Sequence, residues 1–437
     1  MRNELHICSP SKPIAARFLT KKTQWFCLQL VASLLIMSQF AHSQEVNDQA
    51  SLDLSQAIDF ALSEHPEMAV FIHQREALNA RVNQAKVLPR PTIGLTIEDA
   101  MGTGTHSNFG SAQSTLNIAW VLEQRTIDSR VNAAKQAATQ VDFDMEIKAL
   151  DISAHTAKLF IEALILEQRL QLAKLAEQQA DSALTATERR VKAGKSLSIE
   201  QLQSEAELVR RSLEVEDLEH ELEASRYQLV AQWGGEANQY VPQGDLLNVP
   251  AIENLPTQLA KLKAHPALLA FANQQRVAQS QIELARIEAK PKWQVSAGIR
   301  RYETTDDFGL VAGISIPFGN DARSLGEVQV IQAKQAEYQS QADALARQLN
   351  TQLFVLLQNM KHSKHVIDTL TKRVIPLLEQ ASEEASKAYD IGRLGYLEWT
   401  SIRQELLITQ AQLLDAYQAI HLQHIEIQRL TGVSLSN

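Results

Sequence analysis

The chain has 437 residues and a formal net charge of −9, with 45 % hydrophobic residues, only 5 % aromatics and 16 glycines. Few aromatics and few glycines over such a length, with Ala, Leu, Gln and Glu dominant, argue against ordinary globular domains and for long helices or coiled coils. No basic stripe with interleaved aromatics is present, so the balance speaks against nucleic acid as a partner.

The first element in chain order is a leader. Lys21 and Lys22 precede an apolar run from Trp25 to Met37, and Ala41-His42-Ser43 is a small-x-small site. The pattern predicts a signal peptide over 1–43, cleaved before Gln44. A membrane anchor fits less well, because the run is about 13 residues and spanning takes about 20. Both cysteines, Cys8 and Cys27, lie in this leader, so the exported chain has no disulfide, thiolate metal site or cysteine nucleophile. Cys27 follows Trp-Phe, a context unlike that of a lipidated cysteine. Taking the leader's five basic residues and one acid from totals of 42 and 51 leaves the mature chain at −13. That balance is compatible with cationic cargo and equally with an ordinary soluble surface.

An internal repeat organises the rest. SEHPEMAVFIHQREALNARVNQAKVLPRP matches KAHPALLAFANQQRVAQSQIELARIEAKP, with His65-Pro66 on His265-Pro266 and Pro91 on Pro291; later Gly194 aligns with Gly392 and Trp233-Gly234 with Thr431-Gly432. The expected organisation is a first repeat over 44–234, a Gly/Pro/Asn-rich linker over 235–256 and a second repeat over 257–437. Each repeat is expected to run through a short helix, a His-Pro corner, a helix of about 23 to 25 residues, two strands, a very long helix (124–193 or 322–391), a turn and a last helix. At 1.5 Å per residue the long helix spans roughly 105 Å, which two shorter helices stacked end to end can match at roughly 93 Å. The rows Leu413, Tyr417, Ile420, His424, Ile427 and Leu218, Leu222, Ser225, Leu229 have the 4,3 spacing of antiparallel helix packing.

Four segments alternate with period two, at about 92–99, 114–122, 292–301 and 309–318. Ile93, Leu95 and Ile97 share a face in the first, and Leu116, Ile118, Trp120 and Leu122 in the second. Trp293, Val295, Ala297 and Ile299, then Leu310, Ala312, Ile314, Ile316 and Phe318, repeat the pattern. Their length suits membrane β-strands, with Trp120, Trp293 and Phe318 placed as an interfacial girdle; a small sheet packed apolar face inward on helices reads equally well from these segments alone. If they lie in a membrane, four strands cannot close a barrel by themselves and several chains must share one.

The two turns are RVKAGKSLSIEQLQ and AYDIGRLGYLEWTSIRQ. Gly194 and Gly392 allow the backbone to reverse without a Cβ penalty, and Ser196 and Ser198 can cap the returning helix. His362/His365 and His421/His424 have metal-chelating spacing, but no third ligand is evident and His424 sits in a packing row, so neither a metal nor a cofactor is expected. No nucleophile–base set or phosphate loop is found, and an enzyme is not expected.

A duplicated exported chain, two strands per half and long helices with single-glycine turns together resemble the outer membrane factor (TolC-like) family across essentially the whole mature chain. IEDAMGTGTHSNFGSAQSTLNIAWVLEQR is similar to its cation-efflux (CzcC-like) branch. The chain departs from the family in having His-Pro where Asn-Pro is usual, and Glu123-Gln124-Arg125 where Gly-Lys-Arg is. The resemblance implies a mainly α fold with a membrane β-barrel contribution: a homotrimer closing a 12-stranded barrel from four strands per chain, continued by an α-helical periplasmic tunnel of antiparallel coiled-coil hairpins. It implies an outer-membrane channel, set in outer-membrane lipid, that works with a periplasmic membrane-fusion adaptor and an inner-membrane RND transporter to export heavy-metal cations. Drugs, organic compounds or proteins through the same fold, and a soluble periplasmic scaffold, are the alternatives.

The resemblance further places Gly194, Lys195, Ser196, Gly392, Arg393, Leu394 and Gly395 at the periplasmic hairpin tips that meet the adaptor. It makes Glu200 and Glu398 acidic rings at a constriction and Tyr389 a residue that holds the entrance closed. Arg393 stands one position earlier than the family's companion arginine. Each glutamate also reads as a helix-N-terminal acid stabilised by the helix dipole.

Overall fold

The structure, a computed structural model, describes residues 50–236, 239–319 and 322–435; the signal peptide expected over 1–43 lies outside them. A three-residue strand, β1 (Ala50–Leu52), leads into helix α1 (Leu54–Glu64). Asp53 caps α1 through its carboxylate and the Gln56 N–H at 2.8 Å, and Gln56 reaches back to the Asp53 N–H, a reciprocal capping box. Helix α2 (Pro66–Ala85) follows at the His-Pro corner, then strands β2 (Thr92–Glu98) and β3 (Gln113–Leu122), and helices α3 (Gln124–Ala138), α4 (Gln140–Lys192) and α5 (Ser198–Val230). After β4 (Tyr240–Pro242) the same order recurs: α6 (Leu255–Leu262), α7 (Pro266–Glu288), β5 (Trp293–Tyr302), β6 (Asp307–Ser315), α8 (Ala322–Thr369), α9 (Ile375–Asp390) and α10 (Tyr396–Thr431).

Both His-Pro corners are built alike. His65 and His265 each stand at an N-cap with Pro at N1, where a missing N–H costs nothing, and each ring Nδ1 accepts the N–H two residues on, from Glu67 at 3.2 Å and from Ala267 at 3.1 Å. Imidazole thus takes the capping role that a shorter polar side chain usually fills. Gly432, the C-cap of α10, sits at φ 69° in left-handed geometry; its repeat counterpart Gly234 also has a positive φ, 74°, but lies three residues past Ala231, the right-handed C-cap of α5.

The very long helices expected as single pieces are interrupted, and differently in each half. In the first half the break falls at Thr139, between α3 and α4. There Thr139 Oγ1 and Gln140 Oε1 tie to Asn273, a fully buried side chain of α7, at 2.9 and 3.0 Å, so a buried polar knot sets the kink. In the second half one π-helical turn, Leu370–Val374, separates α8 from α9. Pro376 lacks the N–H for the Lys372 carbonyl and its ring crowds that carbonyl; the widened turn just upstream absorbs the mismatch.

The helices pack as two hairpins, α4 with α5 and α9 with α10, joined by contacts of α10 with α4 and α8, while α2 and α7 lie against α3 and α8. The largest core gathers Phe160, Ile165, Leu229, Leu353, Met360 and Ile420 from these helices with Leu52 and Ile58 of the N-terminal elements. Tyr417, Ile420 and Ile427 of one expected row, and Leu222, Ser225 and Leu229 of the other, are buried in the packing. The stretch expected as a plain linker holds β4, which pairs in parallel with β1 (Ser51 opposite Val241), and Leu246, which joins the large core. His421 Nε2 meets the Leu246 carbonyl there at 2.9 Å.

The other four strands form one antiparallel sheet in the order β2-β3-β5-β6. Its register aligns Leu95, Leu116, Ile299 and Leu310 in one cross-strand row and Thr96, Thr115, Arg300 and Gly309 in the next. The apolar rows face outward and are uncovered: Ile93 is 77 % exposed and Leu310 91 %. The opposite face carries a polar network in which Arg300 donates to Thr115 Oγ1, Gln113 Oε1 and Glu98 Oε2 at 2.9, 2.9 and 2.8 Å. Among the described residues no helix covers the apolar face, which is not the arrangement of a small sheet packed apolar face inward on the helices. Among the described residues no helix is long and apolar enough to cross a membrane.

Candidate functional site at the hairpin tips

Each hairpin turns through the same backbone device. Gly194 has φ +69° and Gly392 φ +78°. At the first, the Lys195 N–H reaches the Arg190 carbonyl and the Gly194 N–H that of Val191; at the second, Arg393 reaches Ala388 and Gly392 reaches Tyr389. These are paired Schellman bonds, which satisfy carbonyls that a helix end leaves open and require a left-handed residue.

Beyond the backbone the tips diverge. Tyr389 at the second tip is 1 % exposed and stacks on Trp399, ring centroids 4.3 Å apart and 10° from parallel, with Tyr396 edge-on to both. Ala183 of α4 and Ala385 of α9 close this cluster, with Leu394 packed against it. The hydroxyl of Tyr389 and the indole Nε1 of Trp399 are buried with no hydrogen-bond partner.

One residue of the first hairpin clasps the second. The Arg190 guanidinium lies 4.5 Å from the Tyr389 ring centroid, and its Nη1 donates to the Tyr389 carbonyl at 2.5 Å. The same side chain holds its own turn, with Nε donating to Ser196 Oγ at 3.1 Å. Arg190 therefore links the two tips by a cation–π contact and a charge-assisted hydrogen bond.

The remaining expected residues are placed as follows. Ser196 and Ser198 do not cap α5: its N-cap is Leu197, which makes no side-chain bond, and Ser196 accepts from Arg190 instead. Glu200 stands in the first turn of α5, half-buried, and Glu398 in the first turn of α10, exposed, with its Oε2 accepting the Gly395 N–H at 3.2 Å. Lys195 and Arg393 are exposed on their turns.

Sequence reasoning did not single out Arg190, Tyr396, Trp399 or Arg403. A signal for the aromatics was available, since a chain with 5 % aromatics places three of them between positions 389 and 399. No local signal marks Arg190 or Arg403, because their partners are distant in sequence. Arg403 donates to Gln179 at 3.2 Å and lies 5.0 Å from the Trp399 ring centroid. Burial holds its pKa below the ordinary arginine value, with Tyr396 acting in the opposite sense. Burial, with Glu207 next in weight, pushes the Tyr396 phenol up.

Residues 57–235 match the family described as outer membrane efflux protein. The cobalt-zinc-cadmium resistance protein CzcC of Cupriavidus metallidurans is 24 % identical over 385 residues, covering 87 % of this chain and 90 % of that one. Among solved structures, CusC superposes with a TM-score of 0.70 at 15 % identity, covering 89 % of this chain and 93 % of its own. The outer membrane protein VceC of Vibrio cholerae does so at 0.67 and 15 %, covering 87 % and 96 %. The fold is that of these outer-membrane proteins.

Proposed function

We propose that this chain, an outer membrane factor of the CzcC-like kind, is the outer-membrane duct of a tripartite RND efflux system and passively conducts heavy-metal cations from periplasm to exterior. The observation that carries the reading is the four-stranded sheet, apolar and bare on one face and polar on the other, with β2 and β6 as its edges. Unpaired strand edges are not tolerated in hydrocarbon, so such a sheet needs copies of itself to close a barrel, and three copies give 12 strands. From Trp293 to Arg301, opposite Phe308, the strand runs about 27 Å at ~3.4 Å per residue, close to the ~25 Å apolar band of outer-membrane barrels. The helical hairpins then extend into the periplasm, and their tips meet an adaptor that links the duct to an inner-membrane transporter.

Cation cargo is supported by the similarity to a cobalt-zinc-cadmium resistance protein and by acids in the first helical turn at both tips. In a trimer Glu200 and Glu398 each recur three times, and converging carboxylates raise the local cation concentration. Tyr389 acts as a closing residue by holding its own tip against Arg190. Lys195, Ser196, Arg393, Leu394 and Gly395 form the adaptor-facing turns.

Three experiments test this. The mature protein is expected to require detergent for extraction and to run as a trimer; a soluble monomer would end the barrel reading. A strain lacking the protein is expected to lose tolerance to zinc, cobalt or cadmium, and loss of drug tolerance alone would reassign the cargo. In planar bilayers Glu398→Gln is expected to lower cation selectivity, and unchanged selectivity would leave Glu398 as a helix cap only.

A further inference from the structure

Above the aromatic cluster, α4, α5 and α10 leave a cavity of about 240 Å³. Its floor on α4 is made of Ala176, Ala180 and Ala183, residues too small to fill the space against Leu397 and Leu407 of α10. Its polar wall holds Arg210 and Arg211 of α5 and Arg403 of α10, with one carboxylate, Glu207. Glu207 is already engaged, at 2.7 Å from Arg210 and 2.9 Å from Arg211, and Arg211 has a second partner in Glu214 at 2.8 Å. Burial works against the charge on Arg211, but hydrogen bonds and attraction from Glu214 and Glu207 outweigh it and hold its pKa above the ordinary value.

Arg403 is the exception. It is half-buried, its hydrogen-bond partner is the neutral Gln179 amide, and its flat face rests on Trp399. Among the described residues it has no carboxylate within ion-pairing distance. A guanidinium removed from water without a counter-charge is costly, and its fixed fork of donors suits a carboxylate's two oxygens. The repeat does not account for it: Gly194 aligns with Gly392, and by the same shift Arg403 aligns with Glu205, Trp399 with Gln201 and Gln404 with Ala206. The arrangement therefore belongs to the second hairpin and to its contact with the first, and the turn geometry shared by both tips does not require it.

We propose that this cavity is a binding site for a small organic monoanion, a carboxylate with a short aliphatic tail. The Arg403 guanidinium pairs with the carboxylate and the Ala176–Ala180–Ala183 wall takes the tail. One surplus positive charge matches one negative charge, and an alanine wall favours a hydrocarbon tail over a compact, fully hydrated oxyanion. Because the site bridges both hairpins, an occupant bonds α10 to the α4–α5 pair, and binding and the seating of the tips are coupled.

Trp399 lies under Arg403 and serves as a built-in reporter. Purified full-length protein in a non-ionic detergent is titrated with sodium hexanoate, with tryptophan emission read at constant ionic strength. A saturable change is expected, lost in Trp399→Phe, and at least tenfold weaker in Arg403→Gln at an unchanged elution volume. Arg403→Lys retains the charge without the fork and is expected to bind with intermediate affinity, which keeps the test open if the glutamine variant misfolds. Hexanol, lacking the charge, and sodium sulfate, lacking the tail, are expected to give no saturable response. The proposal is overturned if hexanoate produces no saturable change, if Arg403→Gln responds like the native protein, or if sulfate or hexanol reproduces the response. None of these outcomes alters detergent extraction or metal tolerance, so the duct reading stands or falls separately.

Discussion

The two hairpin tips share a turn and differ in everything packed around it. At Gly194 the flanking positions are Val191, Ser198 and Gln201; the corresponding positions around Gly392 are Tyr389, Tyr396 and Trp399. The first tip is consequently a polar loop whose Arg190 side chain reaches outward, and the second is a small aromatic core that receives it. Duplication preserved the backbone reversal, which physics constrains tightly, and left the side chains free to specialise into a clasp and its seat. The His-Pro corners make the opposite case: both halves keep the same cap with the same bond.

Substitutions can break this contrast. The largest effect is expected from Tyr389→Ala, which empties a fully buried site stacked on Trp399. A loss of about 3–5 kcal/mol in local stability follows for a buried aromatic, read as faster amide exchange over residues 385–402. Its counterpart Val191→Ala lies on a half-buried site and is expected to cost below about 1 kcal/mol. Equal exchange in the two variants would mean that the tips are not specialised.

Next in size is Arg190→Ala. It deletes the bonds to the Tyr389 carbonyl and to Ser196 along with the ring contact, worth about 2 kcal/mol together. If the clasp restrains the tips, the variant raises single-channel conductance, and Arg190→Lys falls between it and the native protein because an ammonium cannot make both bonds in one plane. Unchanged conductance in both would reduce Arg190 to a local brace.

The glycines test what the tips hold in common. A Cβ at Gly194 meets nothing within 4 Å, and one at Gly392 meets only Arg190 Nη2 at 3.8 Å, an ordinary contact. The penalty for Gly194→Ala and for Gly392→Ala is therefore conformational in both, about 1–2 kcal/mol, and near-equal shifts in thermal midpoint are expected. A much larger cost at one tip would show that its turn is held by more than φ.

The smallest effect concerns the corners. Burial holds the pKa of His65 below its ordinary value, with Lys148 and His155 adding to it, and burial holds that of His265 below its value, opposed by a backbone hydrogen bond to Arg429 and by Asp151. A cap that accepts through Nδ1 needs the neutral ring, and both folded-state values are depressed, so its stability is complete above the ordinary histidine value of about 6.5. It is lost as pH falls from there through the folded values. The cost is about 1 kcal/mol per cap, larger at the buried His265 than at the half-buried His65. Between about pH 7.5 and pH 5.5 the thermal midpoint is expected to drop less in His265→Asn than in the native protein, since an amide caps without titrating.

Much of this was legible in the chain itself. The His-Pro repeat and Gly194/Gly392 located the corners and turns, because proline and glycine punctuate the backbone locally whatever surrounds them. Period-two alternation located the strands to within two or three residues of their ends. Legibility failed where a feature depends on partners distant in sequence. The break at Thr139 exists because Asn273 is buried beside it. Strands β1 and β4 are too short to show a period and exist as a pair. Ser196 looked like a helix cap from its position and proved to be an acceptor for Arg190.

By itself, then, the sequence determined the repeat, the helical and strand segments and the points where the backbone reverses, since these follow from local propensity and periodicity. Only the tertiary structure decided that the apolar strand face stays bare, that Tyr389 turns inward onto Trp399 under Arg190, and that Arg403 is left without a counter-charge. Each of these depends on which surfaces meet, and in this chain the surfaces that meet at the tips come from positions some two hundred residues apart.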